Sequence, residues 1–185
     1  MEHFYQDIKG WAQPWEQGEL FKVMLKQIDT TKQIHIAEIG VYQGRGTALI
    51  NVDLINGGYD YVYHAIDHFR GSAEHEQGFN YEFIARANLS RILENIRLIR
   101  NESVDQAHTY PNETFDIVYI DASHDYESVM ADLQAWYPKV KKGGIISGDD
   151  YCTCWPGTFK AVNEFFNEIP IPTVGTQQQW WMKKD

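Results

Sequence analysis

What most limits the folds open to this chain is the alternation of short, β-branched or aromatic runs with longer stretches of helical period. The runs IHIAEI from Ile34, YVYHAI from Tyr61, IRLI from Ile96, FDIVYI from Phe115 and GGIISG from Gly143 all have strand length. Several are apolar enough to be covered on both faces, as strands of a parallel sheet are. The clearest helix follows Asp125, where Val129, Met130, Leu133, Trp136 and Tyr137 share one face until Pro138 ends the pattern. Further helices are expected over 20–28, 47–56, 81–93 and 157–167. Strands alternating with crossover helices define an α/β fold. At the end of the sequence, IPTVGTQQQWWMKKD reads as two short strands around a polar turn containing Gly175, so the sheet should gain an antiparallel last strand.

With 185 residues, 43% of them apolar, and no linker, repeat or low-complexity tract, the chain fits a single domain over 1–185. A net charge of −10 without a basic cluster argues against nucleic acid, whose affinity comes from Lys and Arg neutralising phosphates. No apolar run approaches the roughly 20 residues that cross a bilayer. The opening MEHFYQDIKGWAQPWEQ is neither a signal nor a transit peptide, so a cytoplasmic protein is expected. Cys152 and Cys154, in YCTCW, match neither a zinc knuckle nor a redox pair with two intervening residues, and are expected as free thiols.

The first strand runs into AEIGVYQGRGTALI, which places Gly40, Gly44 and Gly46 at a strand-to-helix turn. Glycine there permits positive φ and lets a ligand approach the backbone. A dinucleotide fingerprint would need a further glycine where Leu49 stands, and a Walker-type loop would need Gly-Lys-Ser/Thr. Asp67, ending the second strand, can accept hydrogen bonds from ribose hydroxyls. A nucleoside without pyrophosphate fits best.

Asp121 leaves the fourth strand, and Asp149 and Asp150 leave the fifth. Three carboxylates converging at strand exits repel one another, and a divalent cation is the simplest compensation. All-oxygen ligation suits a hard ion: Mg²⁺ first, with Mn²⁺ or Ca²⁺ as alternatives. His124, three residues past Asp121, titrates near neutrality and suits a general base.

AEIGVYQGRGT, then AIDHF, then FDIVYIDASHDYESVMADLQAWYPKVKKGGIISGDDY together resemble the class I S-adenosylmethionine-dependent methyltransferases. Within them the block is similar to the metal-dependent O-methyltransferases of the macrocin type, the methyltransferase-24-like group. The resemblance runs from about Ile34 to the end and implies a Rossmann-like, seven-stranded, mostly parallel sheet with its last strand antiparallel and helices on both faces. It implies that Glu38 and Gly40 hold the methionine end of S-adenosyl-L-methionine, that Asp67 holds the ribose and that Glu102 and Ser103 border the adenine, with Gly44 and Asp121 also on the cofactor side. It also implies metal ligation by Asp121, Asp149 and Asp150. Catechol-type relatives carry a lysine base where this chain has His124, and macrocin-type relatives offer an acid where it has Ser123.

The activity implied is methyl transfer to a small hydroxylated acceptor, a sugar or a catechol-like diol. Two rivals stand beside it: a metal-dependent oxygenase or hydrolase on the same scaffold, and a non-catalytic nucleotide-binding module. His64, His68 and His75 show no ligand spacing and read as ordinary strand and loop histidines. The polar loop that holds Arg70 can fold over the site. Trp155 can wall the acceptor site, and Trp11 and Trp15 can form a lid or a surface for a second copy of the chain, a homodimer.

Overall fold

In the computed structural model, which describes all residues but 13, 72–75, 77 and 177 and the side chains of 14 and 15, the chain alternates strands and helices. The strands are β1 (Ile34–Ile39), β2 (Tyr61–Asp67), β3 (Ile96–Arg100), β4 (Phe115–Ile120), β5 (Val140–Gly148), β6 (Thr173–Val174) and β7 (Gln179–Lys183). The helices are α1 (Pro14–Leu25), α2 (Arg45–Asn56), α3 (Tyr81–Asn88), α4 (Ser103–His108), α5 (Tyr126–Trp136) and α6 (Pro156–Phe165). They build one sheet of order β3-β2-β1-β4-β5-β7-β6. Strands β1 to β5 are parallel, β7 is antiparallel to β5, and β6 is antiparallel to β7. This is the Rossmann-like α/β sheet implied by the sequence.

Successive strand residues point to opposite faces, so Ile36 and Ala37 enter different cores. One core packs Leu20, Met24, Ile50 and Ala85 of α1, α2 and α3 against Ile36, Tyr63 and Ile117. The other packs Leu133 and Trp136 of α5 and Val162 of α6 against Val118 and Ile146. Each fully buried side chain of this size contributes about 1.5–3 kcal/mol of transfer free energy, which holds the helices on both faces.

From β1 the chain builds outward to β2 and β3, then returns to the other side of β1 as β4. The switch in direction therefore lies between β1 and β4, where open α/β sheets bind ligands. Backbone hydrogen bonds continue past the strand ends. Gly40 N donates to Ile66 O (2.9 Å), Asn101 N to Asp67 O (3.1 Å), Asp121 N to Ile39 O (2.7 Å) and Asp149 N to Ile120 O (3.2 Å). Each functional loop is thus tied to its neighbour at one edge of the sheet.

Some boundaries differ from the sequence reading. Helix α1 starts at Pro14, which suits a first helical turn, and α3 ends at Asn88. Helix α4 has only Ala107 buried and so gave no apolar period. Strand β5 begins at Val140, three residues before Gly143, and its register against β4 shifts between Phe115 and Ile117. One expectation is overturned: Cys152 and Cys154 are joined by a disulfide, not free. The turn in which Cys152 N donates to Asp150 O and Trp155 N to Cys152 O brings the two Cα atoms to 5.2 Å, within bridging range.

Candidate active site

A cavity of about 680 Å³ opens along the carboxyl ends of the strands, lined by the glycine turn, the exits of β2 and β3, and the loops after β4 and β5. Gly40, at φ 95°, leaves no room for a side chain, since a Cβ would lie 1.8 Å from the Asp121 carbonyl oxygen. Gly44, at φ 89°, precedes α2, and its Cβ would meet Leu89; a Cβ on Gly46 would meet Gln17. At Gly40 the chain's own packing demands glycine and at Gly44 the left-handed backbone favours it, reasons different from ligand approach, whereas the Gln17 side chain could yield at Gly46.

Asp67 clamps this turn. Its Oδ2 accepts from Val41 N (2.9 Å) and Tyr42 N (2.8 Å), and its Oδ1 accepts from Phe69 N (2.6 Å). Oδ2 thereby fills both of its acceptor positions, whereas Oδ1, with one bond, keeps capacity for a further donor, and Asp67 lines the cavity. Glu38 is buried beneath the turn, accepts from Thr47 Oγ1 (2.6 Å), and is pushed up to about 7 by burial. Tyr42, Phe69 and Asp150 all line the cavity with left-handed backbone, at φ 51°, 56° and 62°. Such conformations cost energy outside glycine and cluster at binding sites.

At the exit of β3, Glu102 precedes α4 and pairs with Arg70 from the loop after β2. Trp136 Nε1 donates to Ser103 Oγ (2.8 Å), and Ser103 in turn donates to Asp132 Oδ1. Asp132, a cavity residue the sequence reading passed over, is buried and pushed up to about 6 by burial. An acid on the same face of α5 as Val129, Leu133 and Trp136 was the available signal.

At the opposite end, Asp121, His124 and Asp150 each bring one ligand atom within 4.8 Å of the others. His124 Nε2 lies 2.8 Å from Asp150 Oδ2, and the Trp155 ring covers the His124 ring at 4.1 Å between centroids. Asp149 adjoins the group rather than joining that set, and its Oδ1 accepts from Asp150 N (2.7 Å). Burial, then the charges of Asp149 and Asp150, push the Asp121 carboxyl well above the usual carboxylate range. Burial, then Asp150, raise Asp149 to about 6. Buried oxygen donors whose like charges face one another fit a hard divalent ion. The acidic edge formed by Glu38, Asp67 and Asp121 likewise fits a ligand bearing a sulfonium and an ammonium charge.

Other residues singled out in the sequence lie elsewhere. His64 is buried inside β2, bonded through Nδ1 to the Tyr110 hydroxyl (2.7 Å), and burial lowers it to about 4. His68 follows Asp67, and its Nδ1 accepts from Arg70 N (3.0 Å). His75 and the side chain of Trp15 lie outside the described residues. Trp11, 63% exposed, stacks on Tyr42 at the cavity wall.

The sheet order, the switch-point cavity and the acids at its rim define a class I methyltransferase fold. Residues 37–151 match the family described as a methyltransferase domain, and the chain belongs to that family. A protein of Acanthamoeba polyphaga mimivirus, described as uncharacterized protein R132, is 38% identical over 82 residues. That match spans 40% of this chain and 37% of the relative's length. Among solved structures, the O-methyltransferase NovP superposes with a TM-score of 0.72 at 22% identity, covering 91% of this chain and 78% of its own. CalS11, a TDP-rhamnose 3'-O-methyltransferase, gives 0.63 at 18%, with 90% and 76% covered. The MycE methyltransferase, in complex with Mg and SAH, gives 0.53 at 18%, with 84% and 46% covered.

Proposed function

We propose that this chain transfers the methyl group of S-adenosyl-L-methionine to a hydroxyl of a small sugar or catechol-like acceptor, with a divalent cation, Mg²⁺ first, at the acidic end of the cavity. The observation that carries this reading is the convergence of Asp121, His124 and Asp150 in the cavity that the glycine turn and Asp67 also line. Glu38, Gly40, Gly44 and Asp67 would hold the methionine and ribose portions of the cofactor. Asp121 and Asp150, with Asp149 beside them, would hold the cation.

When bound, the cofactor supplies an electrophilic methyl group, and the cation lowers the pKa of an acceptor hydroxyl and fixes its orientation. His124 takes the acceptor's proton, and Asp150, 2.8 Å away, stabilises the resulting imidazolium. Trp155, whose ring lies against that of His124, restrains the imidazole and lines the cavity beside it. The sugar option also draws on CalS11, whose acceptor is TDP-rhamnose. An acceptor of modest size fits the cavity, over which Trp11 provides a wall.

Labelled methyl transfer to a panel of diols, run with Mg²⁺ and with chelator, tests the reading. Transfer that requires Mg²⁺ and disappears in Asp121→Asn is expected. Transfer indifferent to chelator removes the metal from the proposal, and cofactor binding without turnover on any hydroxyl favours a non-catalytic module.

A further inference from the structure

The chain from Trp136 through Ser103 to Asp132 has a direction that hydrogen-bond chemistry fixes. An indole N–H can only donate, so Ser103 Oγ accepts from Trp136 Nε1, and the serine's single proton is left for Asp132 Oδ1. Ser103, expected beside the adenine, has therefore committed its donor to the protein. Asp132 has not committed its acceptors: among the described residues Oδ2 has no hydrogen-bond partner, although the residue is only 5% exposed and lines the cavity. A carboxylate has about four acceptor positions, and this one uses a single position internally.

Asp132 also has apolar company: Val104 and Ala131, the chain neighbours of Ser103 and Asp132, line the same cavity. A small apolar slot with one buried acceptor at its edge recognises a planar heterocycle that carries an exocyclic amine. Nothing in the methionine, ribose or metal portions of the site requires this acid. Burial raises Asp132 to about 6, a cost that a donor from a ligand would offset.

We propose that Asp132 is the specificity residue for the base of the cofactor, accepting the adenine 6-amino group at Oδ2, with Ser103 and Trp136 as positioning residues that hold its Oδ1. The inference rests on reading the cavity as a nucleoside-cofactor site. A base that carries a carbonyl oxygen in place of the amine would set two acceptors against each other.

Calorimetric titration with S-adenosylhomocysteine and with S-inosylhomocysteine, whose base is hypoxanthine, separates recognition from packing. The protein is expected to prefer the adenine compound by about tenfold or more, the discrimination available from a hydrogen bond to a charged group. Asp132→Asn keeps the shape and the acceptor for Ser103 but can donate to a carbonyl, so its preference should collapse to within about threefold. Ser103→Ala should retain adenine binding with a reduced ratio, because Oδ1 loses its tether. A merely structural Asp132 would weaken both ligands alike. Binding of S-adenosylhomocysteine with an unchanged ratio in a folded Asp132→Asn protein overturns the inference alone. Failure of both ligands to bind overturns it together with the cofactor reading.

Discussion

The two ends of the cavity handle buried acid in opposite ways. At the glycine turn, Asp67 meets three backbone N–H groups, so its charge is part of the loop's own hydrogen bonding. At the exits of β4 and β5, Asp121 faces Asp149 and Asp150, and burial and mutual repulsion dominate, relieved only in part by His124. The first end is complete as the chain folds. The second keeps like charges face to face. A site can thus be preorganised at one end and left in electrostatic conflict at the other, and that conflict is what motivates the cation proposed above.

The sharpest way to break this contrast is Asp121→Asn. Affinity for Mg²⁺, measured by titration calorimetry, should fall by about 100-fold or more with the loss of a ligand. The metal-free variant should be more resistant to denaturant than the unaltered protein, because a buried like charge is gone; a loss of stability instead would mean that the acids are not in conflict.

The next test concerns Glu38, the one acid of the glycine-turn end that lacks a charged or amide partner. Its carboxyl is raised from 4.5 to about 7 in the fold, so its contribution to stability is complete below pH 4.5 and is lost as pH rises through 7. In chelator the protein should lose up to about 3 kcal/mol from this group across that range. Glu38→Gln should flatten the curve, and Mg²⁺ should not restore this part of the loss. Melting temperatures between pH 4.5 and 8 report the result.

Asp67→Ala removes the acceptor of three N–H groups and should cost about 2 kcal/mol in denaturant unfolding, with or without Mg²⁺. A cost that Mg²⁺ abolishes would erase the distinction between the two ends. The smallest effect is expected for Cys152→Ser, since a bridge across so short a loop contributes below about 2 kcal/mol. Its value lies in location: if the bridge helps hold Asp150, reductant should lower Mg²⁺ affinity in the unaltered protein and leave the variant unmoved.

The fold and the acids were legible in the sequence for different reasons. The runs at Ile34 and Phe115 became strands with the expected ends, because apolar strands covered on both faces leave a pattern that needs no long-range information. Helix α4 left none, because its six residues bury only Ala107. The start of β5 was hidden by Lys141, Lys142, Gly143 and Gly144, which read as a turn; the pairing with β4 resumes on either side of them, at Val140 and Ile145, and Gly143 and Gly144 exchange backbone hydrogen bonds with Lys184. Asp121 and Asp150 could be placed together because each follows a strand. That His124 stands in one group with Asp121 and Asp150 could not be read from spacing, nor could the left-handed backbone of Asp150. The relay that exposes Asp132 likewise joins α4 to α5 through side chains 33 residues apart. The bridge between Cys152 and Cys154 also came from the shape of a turn.

The absence of a side chain at Gly40 has a thermodynamic corollary. The space a Cβ would take is filled by the carbonyl of Asp121, so the turn assigned to the cofactor and the loop assigned to the cation share a wall with no slack between them. Were both proposed ligands to bear on that partition, any linkage would be reciprocal: whatever factor Mg²⁺ added to cofactor affinity, the cofactor would return to Mg²⁺.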